Sequence, residues 1–170
     1  AVDLRTAFLS ETDAGHEDYL AVGAALRRAG NLEQAAKFLE LARLKSPDTP
    51  AVSIELAQVY KQRGDVRTAA SLMERIALRG VAEAFIEAAE LYRQAGELYH
   101  ALSLNRFIAD SKTRIKQRLL ILLDLKDYAS IAAMARDVRR ARLLEDESIR
   151  YAVAYSFFEV GDFERAERLL

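Results

Sequence analysis

His16 and His100 are the only imidazoles in this sequence, and there is no cysteine. Neither histidine has a partner at a spacing that supports catalysis. There is no Ser-His-Asp order, no His-Glu-x-x-His run, no phosphate-cradling glycine loop and no cluster of metal ligands. Without thiols, disulfides, thiolate–zinc sites and cysteine nucleophiles are excluded. Carboxylates are plentiful, but they fall at helical spacing beside basic residues, as at Glu33 and Lys37, which is how solvated helix faces are built. The expectation is a non-catalytic protein that needs no cofactor and no metal.

The residue types that remain are suited to binding. Tyr151, Tyr155 and Phe158 recur at intervals of four and three, which places three aromatic rings on one face of a helix. Such a stripe can receive an apolar partner helix, an extended peptide or a sugar ring. It can equally be the face that packs on a further repeat. Between Lys112 and Arg142 the basic side chains Lys112, Arg114, Lys116, Arg118, Lys126, Arg136, Arg139, Arg140 and Arg142 outnumber Asp124, Asp127 and Asp137. That imbalance fits attraction of an acidic partner, or a solvated face balanced by Glu145, Asp146 and Glu147. No basic–aromatic interleaving accompanies it, and with a net charge of −1 a nucleic-acid partner is not expected.

The elements that position these residues are announced by a recurring turn. Gly30-Asn31, Gly64-Asp65 and Gly96-Glu97 stand 34 and then 32 residues apart, and Gly161-Asp162 follows after about two more periods. Around each turn small residues recur where two helices must approach closely. Gly23, Ala57, Ala89 and Ala154 occupy the first helix; Ala35, Ala69, Ala101 and Ala166 occupy the second. Larger core residues fill the intervals: Leu26, Tyr60, Tyr92, Leu122 and Phe157, then Leu32, Val66, Leu98, Tyr128 and Phe163. Pro47 marks the end of a second helix.

This period divides the chain into helix pairs over 16–49, 50–81, 82–111, 112–146 and 147–170, preceded over 1–15 by the second helix of an earlier repeat, with Leu4 and Phe8 on its apolar side. The fourth pair departs from the pattern. Lys126-Asp127 replaces the glycine turn, Arg118 stands where a buried leucine is usual, and Ile131 replaces a packing alanine, so an irregular geometry is expected there. Asn105 at a core position makes the third pair imperfect. Neither end carries a polar cap, which suggests a piece of a longer array.

The repeated set resembles the tetratricopeptide repeat (TPR). The first unit carries it as Tyr19, Val22, Gly23, Leu26, Gly30-Asn31, Ala35, Leu39, Ala42 and Pro47; the second as Leu56, Ala57, Tyr60, Gly64-Asp65, Ala69 and Met73. The third unit retains Phe85, Ala88, Ala89, Tyr92, Gly96 and Ala101, and the fifth retains Val153, Ala154, Phe157, Gly161-Asp162, Phe163 and Ala166. The resemblance implies an all-α fold, a right-handed α-solenoid of antiparallel helix pairs, acting as a protein–protein interaction scaffold. It also implies that the first helices line a concave, partner-binding face. In that register the candidates are Arg27, Arg28, Glu55, Gln58, Lys61, Glu87, Glu90, Arg93 and Lys116, with Gln117 beside Lys116, and then Tyr151, Tyr155 and Phe158. Arg27, Lys61 and Arg93 are equivalent and could form a basic ladder, with Glu55, Glu87 and Glu90 near enough to neutralise it. The carboxylate clamp of chaperone-tail adaptors is not matched, because Leu20 and Ala24 stand at its first-unit positions.

The stretch 149–163 also resembles repeats in the periplasmic arms of exopolysaccharide export proteins of the Pel and cellulose type. That likeness implies a bacterial envelope assembly, a periplasmic location and a polymer-modifying enzyme as the protein partner. The alternatives are direct polysaccharide binding by the aromatic stripe and a cytoplasmic TPR assembly or regulatory factor, with self-association possible. No apolar run approaches the roughly 20 residues of a membrane span, so membrane insertion by this chain is not expected.

Overall fold

The computed structural model describes residues 15–170; the expected helix over 1–15, with Leu4 and Phe8, lies outside the described residues. Among the described residues the structure is all α-helix with short connections and no strand. Five helices form a first compact unit that runs to Ala95: α1 (His16–Arg28), α2 (Leu32–Lys45), α3 (Pro50–Gln62), α4 (Val66–Leu78) and α5 (Ala84–Gln94). Five more form a second unit from Gly96: α6 (Leu98–Asn105), α7 (Ser111–Asp124), α8 (Tyr128–Arg140), α9 (Glu147–Glu159) and α10 (Phe163–Glu167), with a 3₁₀ turn at Leu143–Glu145 before α9. Within each unit every helix packs on the next in sequence.

Small residues allow that packing. An added Cβ at Gly23 on α1 would lie 2.5 Å from Cγ of Leu39 on α2, closer than real contacts come. Ala57, Ala89, Ala154, Ala35, Ala69, Ala101 and Ala166 are all buried at the corresponding positions. Around them Val22, Leu39, Leu56 and Val59 fill the first unit's core, while Leu119, Leu122, Ile131, Val138 and Val153 fill the second's. A fully buried side chain of this kind contributes about 1.5–3 kcal/mol relative to its exposed state. Phe163 does not follow the pattern of its equivalents. It is 61 % exposed, with its ring against Phe158 on the surface of α9.

The helix-pair turns share one hydrogen-bond plan. In the first, the N–H of Gly30 donates to Arg27 O (3.0 Å) and that of Asn31 to Leu26 O (2.9 Å), which closes α1. The Asn31 side chain then accepts from Gln34 N (3.4 Å) and opens α2. Asp65, Asp127 and Asp162 do the same, each donating its N–H to a carbonyl of the helix behind (2.8–2.9 Å) and accepting from the N–H three residues ahead (3.0–3.1 Å). Glu97 makes no such side-chain cap at the start of α6.

Lys126 adopts φ +56° where the equivalent Gly64 adopts +83°. The turn of the fourth pair thus keeps the left-handed backbone of the glycine turns. A lysine occupies the left-handed region there at a cost of roughly 1 kcal/mol, held by the same bonds as its glycine counterparts. The departure comes at the other end of α8, where Arg142 is also left-handed (φ +56°) and leads into the 3₁₀ turn.

Three polar residues are buried in the second unit, Asn105, Gln117 and Ser156, the last donating its hydroxyl to Ala152 O on its own helix (2.7 Å). Asn105, at the end of α6, donates from Nδ2 to Arg114 O (3.0 Å) and to Gln117 Oε1 (3.4 Å) on α7. Gln117 is thereby drawn inward and is 7 % exposed, which corrects its assignment to the open face. Arg118, next to it, is exposed to solvent, while Leu119 and Ile131 occupy the core.

Candidate functional site

In the first unit the candidate residues on α1, α3 and α5 meet across helices. Arg27 Nε donates to Glu55 Oε2 at 2.8 Å, and the two side chains are only 19 % and 25 % exposed. On the next step Gln58 Nε2 donates to Glu87 Oε1 (3.0 Å), and Lys61 Nζ lies 3.5 Å from the same oxygen. Glu90 is held by Arg93 through two bonds, Nε to Oε2 at 2.9 Å and Nη2 to Oε1 at 2.8 Å, with Gln94 adding a third at 2.9 Å. The Arg93 bonds hold the Glu90 carboxyl below its ordinary range despite the opposing effect of partial burial. Arg28 turns back on its own helix, donating from Nε to Ala24 O at 3.2 Å.

The basic ladder is thus interleaved with carboxylates and neutralised rung by rung. A second set of bonds ties the same helices to their neighbours behind. Tyr60 Oη donates to Glu40 Oε1 (3.4 Å) and, one repeat on, Tyr92 Oη donates to Glu74 Oε2 (2.8 Å). Burial and the neighbouring Glu40 raise the Tyr60 hydroxyl above the ordinary tyrosine range, so it remains a donor at neutral pH. The sequence marks these glutamates as surface charges; their role emerges only when the next helix is in place.

In the second unit Lys116 on α7 stands 3.9 Å from Asp146, a loose, exposed pair. The aromatic stripe on α9 is different. Tyr151, Tyr155 and Phe158 are 55 %, 50 % and 54 % exposed. The stripe continues into a larger cluster. Tyr155 meets Tyr128 edge-on (5.4 Å between centroids), Phe158 lies nearly parallel to Tyr155 (6.4 Å, 23°), and Phe163 meets Phe158 at 66° (5.4 Å). Edge contacts of this kind fix the rings relative to one another and leave their outer surfaces in water. A hydrogen bond with Glu159 raises the Tyr155 hydroxyl above its ordinary range, keeping it protonated. The repeat pattern places Phe163 in the core, but it extends this surface instead, with its ring against Phe158.

Residues 26–84 match the family described as Tetratricopeptide repeat. No curated protein matches the sequence. Among solved structures, YrrB, described as a TPR protein with an unusual peptide-binding site, superposes with a TM-score of 0.73 at 14 % identity, over 99 % of this chain and 90 % of that one. MamA of AMB-1 gives a TM-score of 0.71 at 19 % identity over 91 % and 87 % of the two chains. TTC0263, a thermophilic TPR protein of Thermus thermophilus, gives 0.50 at 22 % identity over 91 % and 88 %. Residues 26–84 therefore carry the tetratricopeptide repeat, and the likeness to solved TPR proteins such as YrrB is one of fold, an all-α array of helix pairs.

Proposed function

We propose that this protein is a docking scaffold that seats an apolar peptide or helix of a partner protein on the aromatic surface of α9 and α10. One observation carries this reading: Tyr151, Tyr155, Phe158 and Phe163 are each at least half exposed, and the last three form a continuous run of ring contacts. A contiguous patch of large aromatic side chains is the composition from which interface hot spots are drawn. The candidate polar residues on α1, α3 and α5 are engaged with one another, so in this reading they hold the helices together and flank a partner more than they anchor it. YrrB, a TPR protein with a peptide-binding site, is in keeping with a peptide as the bound element.

The biological setting we propose is a bacterial envelope assembly for polymer export, with a polymer-modifying enzyme as partner and a periplasmic location. Its support is the resemblance of 149–163 to such periplasmic arms; fractionation of host cells tests it, and recovery in the cytoplasm overturns it.

The docking reading is tested by selecting peptides from a displayed random library on the purified chain and measuring them against Tyr155→Ala/Phe158→Ala. Apolar peptides whose binding falls at least about tenfold in the double variant support it. Peptides bound equally by both proteins overturn it. Calorimetry with oligosaccharides at millimolar concentration addresses the remaining use of exposed rings, since a saturable heat lost in Tyr155→Ala assigns the surface to sugar instead.

A further inference from the structure

A cleft of about 330 Å³ opens in the first unit, between the start of α3 and the end of α4. α3 packs on α2 and α4, and α4 packs on α3 and α5, so each helix that forms the cleft is flanked on both sides. Pro47 and Pro50, both exposed, and the half-buried Val81 supply its apolar walls. Ser53, one turn into α3, also lines it and is only 5 % exposed. Its hydroxyl nevertheless makes no hydrogen bond among the described residues, and its oxygen is not sealed inside the fold but reaches the cleft. A helical serine commonly turns back to a carbonyl one turn earlier, as Ser156 does to Ala152 O (2.7 Å). A polar group withdrawn from bulk water without a partner costs free energy, and this one is left for an occupant of the cleft.

The surroundings give that occupant a sign. The start of α3 carries no side-chain cap, because the Thr49 hydroxyl is engaged with that of Ser46 (2.7 Å). Thr49, Pro50 and Ser53 all line the cleft, so the positive end of the helix lies at it. Arg75, across the cleft on α4, is exposed and has no ion-pair or hydrogen-bond partner among the described residues. Arg79 is held by Asp48 (Nη1 to Oδ1, 2.6 Å) and by Pro47 O (3.2 Å), so it adds no unpaired charge. The carbonyls at the end of α4, which would repel an anion, are occupied. Ile76 O accepts from the N–H groups of Arg79 and Val81 (3.1 and 3.3 Å), and Ala77 O accepts from that of Gly80 (3.1 Å).

We propose that this cleft binds a small monocarboxylic acid with an apolar body. The Ser53 hydroxyl donates to the carboxylate, Arg75 pairs with it, and the apolar body lies along Pro47, Pro50 and Val81. Charge decides between anions. Two arginines against one aspartate leave a single positive charge at the cleft, which one carboxylate cancels. A phosphate monoester carries about −1.5 to −2 at neutral pH and would leave excess negative charge beside Asp48. Inorganic anions would leave both prolines and Val81 in water. A volume of about 330 Å³ stands at the lower end of small-ligand sites, which limits the acid to a few carbon atoms. The site belongs to the first unit and does not rest on the docking reading of the aromatic surface.

The test titrates isovalerate into the full, isotope-labelled chain and follows the amide chemical shifts. Saturable shifts are expected at 51–53 and 75–81, with a dissociation constant of about a millimolar. Ser53→Ala and Arg75→Gln should each weaken binding at least about fivefold. Ser53→Ala should also keep the urea midpoint at or above that of the unaltered chain, because the hydroxyl it removes bonds to nothing in the fold. Tyr155→Ala/Phe158→Ala should bind the acid unchanged, so that failure here and failure of the aromatic surface are read separately. The controls are isovaleramide, inorganic phosphate and a tripeptide ending in leucine. No saturable shift, equal binding by Ser53→Ala, a lowered midpoint in that variant, equal binding of the amide, or tighter binding of phosphate or of the tripeptide would each overturn the proposal.

Discussion

The helices α1, α3 and α5 of the first unit and α9 of the second hold equivalent places in the repeat, yet they present opposite kinds of surface. On the first three, the candidate polar side chains find partners on their own or a neighbouring first helix: Arg27 with Glu55, Lys61 and Gln58 with Glu87, Arg93 with Glu90. On α9, Tyr155 contacts Phe158 and Tyr128, and Tyr151, Tyr155 and Phe158 still keep about half of their surface in water. A residue's position in the repeat therefore does not make it part of a binding surface. What decides is whether the neighbouring helix already satisfies it. Paired charges join repeats; incompletely covered rings are left for something else.

The sharpest way to break this contrast is to exchange the roles in a binding experiment. Removing the rings with Tyr155→Ala/Phe158→Ala should abolish capture of the selected peptides, whereas Arg27→Met/Glu55→Met should leave their affinity within about twofold. The reverse outcome, measured by anisotropy, would transfer the binding role to the first unit and end the distinction.

In stability, the largest effect is expected where Gly23 lets α1 approach Leu39 on α2. Gly23→Val places branched carbon atoms against Leu39 and should cost about 3 kcal/mol in urea unfolding. Combined with Leu39→Ala, its cost should shrink, because the cavity accepts the added methyl groups; strict additivity would show that the α1–α2 approach is not limited by this contact.

The turns offer a matched pair of opposite sign. Gly64→Ala should destabilise by about 1 kcal/mol, since nothing lies near the new methyl group and only the backbone region opposes it. Lys126→Gly should stabilise by about 0.5–1 kcal/mol, reduced by the greater freedom of glycine in the unfolded chain. Equal effects of the same sign would mean the two turns differ in more than residue type.

The smallest expected effect is that of pH. Hydrogen bonds from Ser130 hold the Asp127 carboxyl below its ordinary value, as those from Arg93 do for Glu90. A carboxyl depressed on folding stabilises above its unfolded pKa, and that stability is lost as pH falls through the folded value. Unfolding followed from about pH 5 to about pH 3 should thus show a decline that is shallower in Asp127→Asn, where the cap persists without its charge.

Much of the fold is legible because it depends on features that sequence displays directly. Glycine at a left-handed turn and alanine at a close helix approach are both limits on side-chain size, and Gly64 and Ala57 announce themselves at a fixed interval. The polar network is harder to read. Glu40 and Tyr60 are separated by a turn, and Glu55 meets Arg27 across two helices, so their pairing depends on rotamers and helix crossing that a one-dimensional pattern does not carry. The repeat register misplaces Gln117 for the same reason, since its inward position needs Asn105 from another helix. Lys126 misleads in the other direction: a residue poorly suited to its backbone conformation is kept in it by the hydrogen bonds on either side.

Those bonds have a consequence for how the chain can change in length. Asn31, Asp65, Asp127 and Asp162 each close one helix with the main chain and open the next with the side chain. With both duties on one residue, the joint has no slack. Inserting a single residue there would break one of the two and rotate the following helix by about 100°, turning its buried stripe toward water. The connections at 46–49, 79–83 and 106–110 carry no shared residue of this kind, whereas at 141–146 Asp146 closes the 3₁₀ turn with its N–H and opens α9 with its side chain. Growth and loss of sequence in this protein should therefore be confined to connections without such a residue, the joints at Asn31, Asp65, Asp127 and Asp162 counting residues as strictly as a ratchet counts teeth.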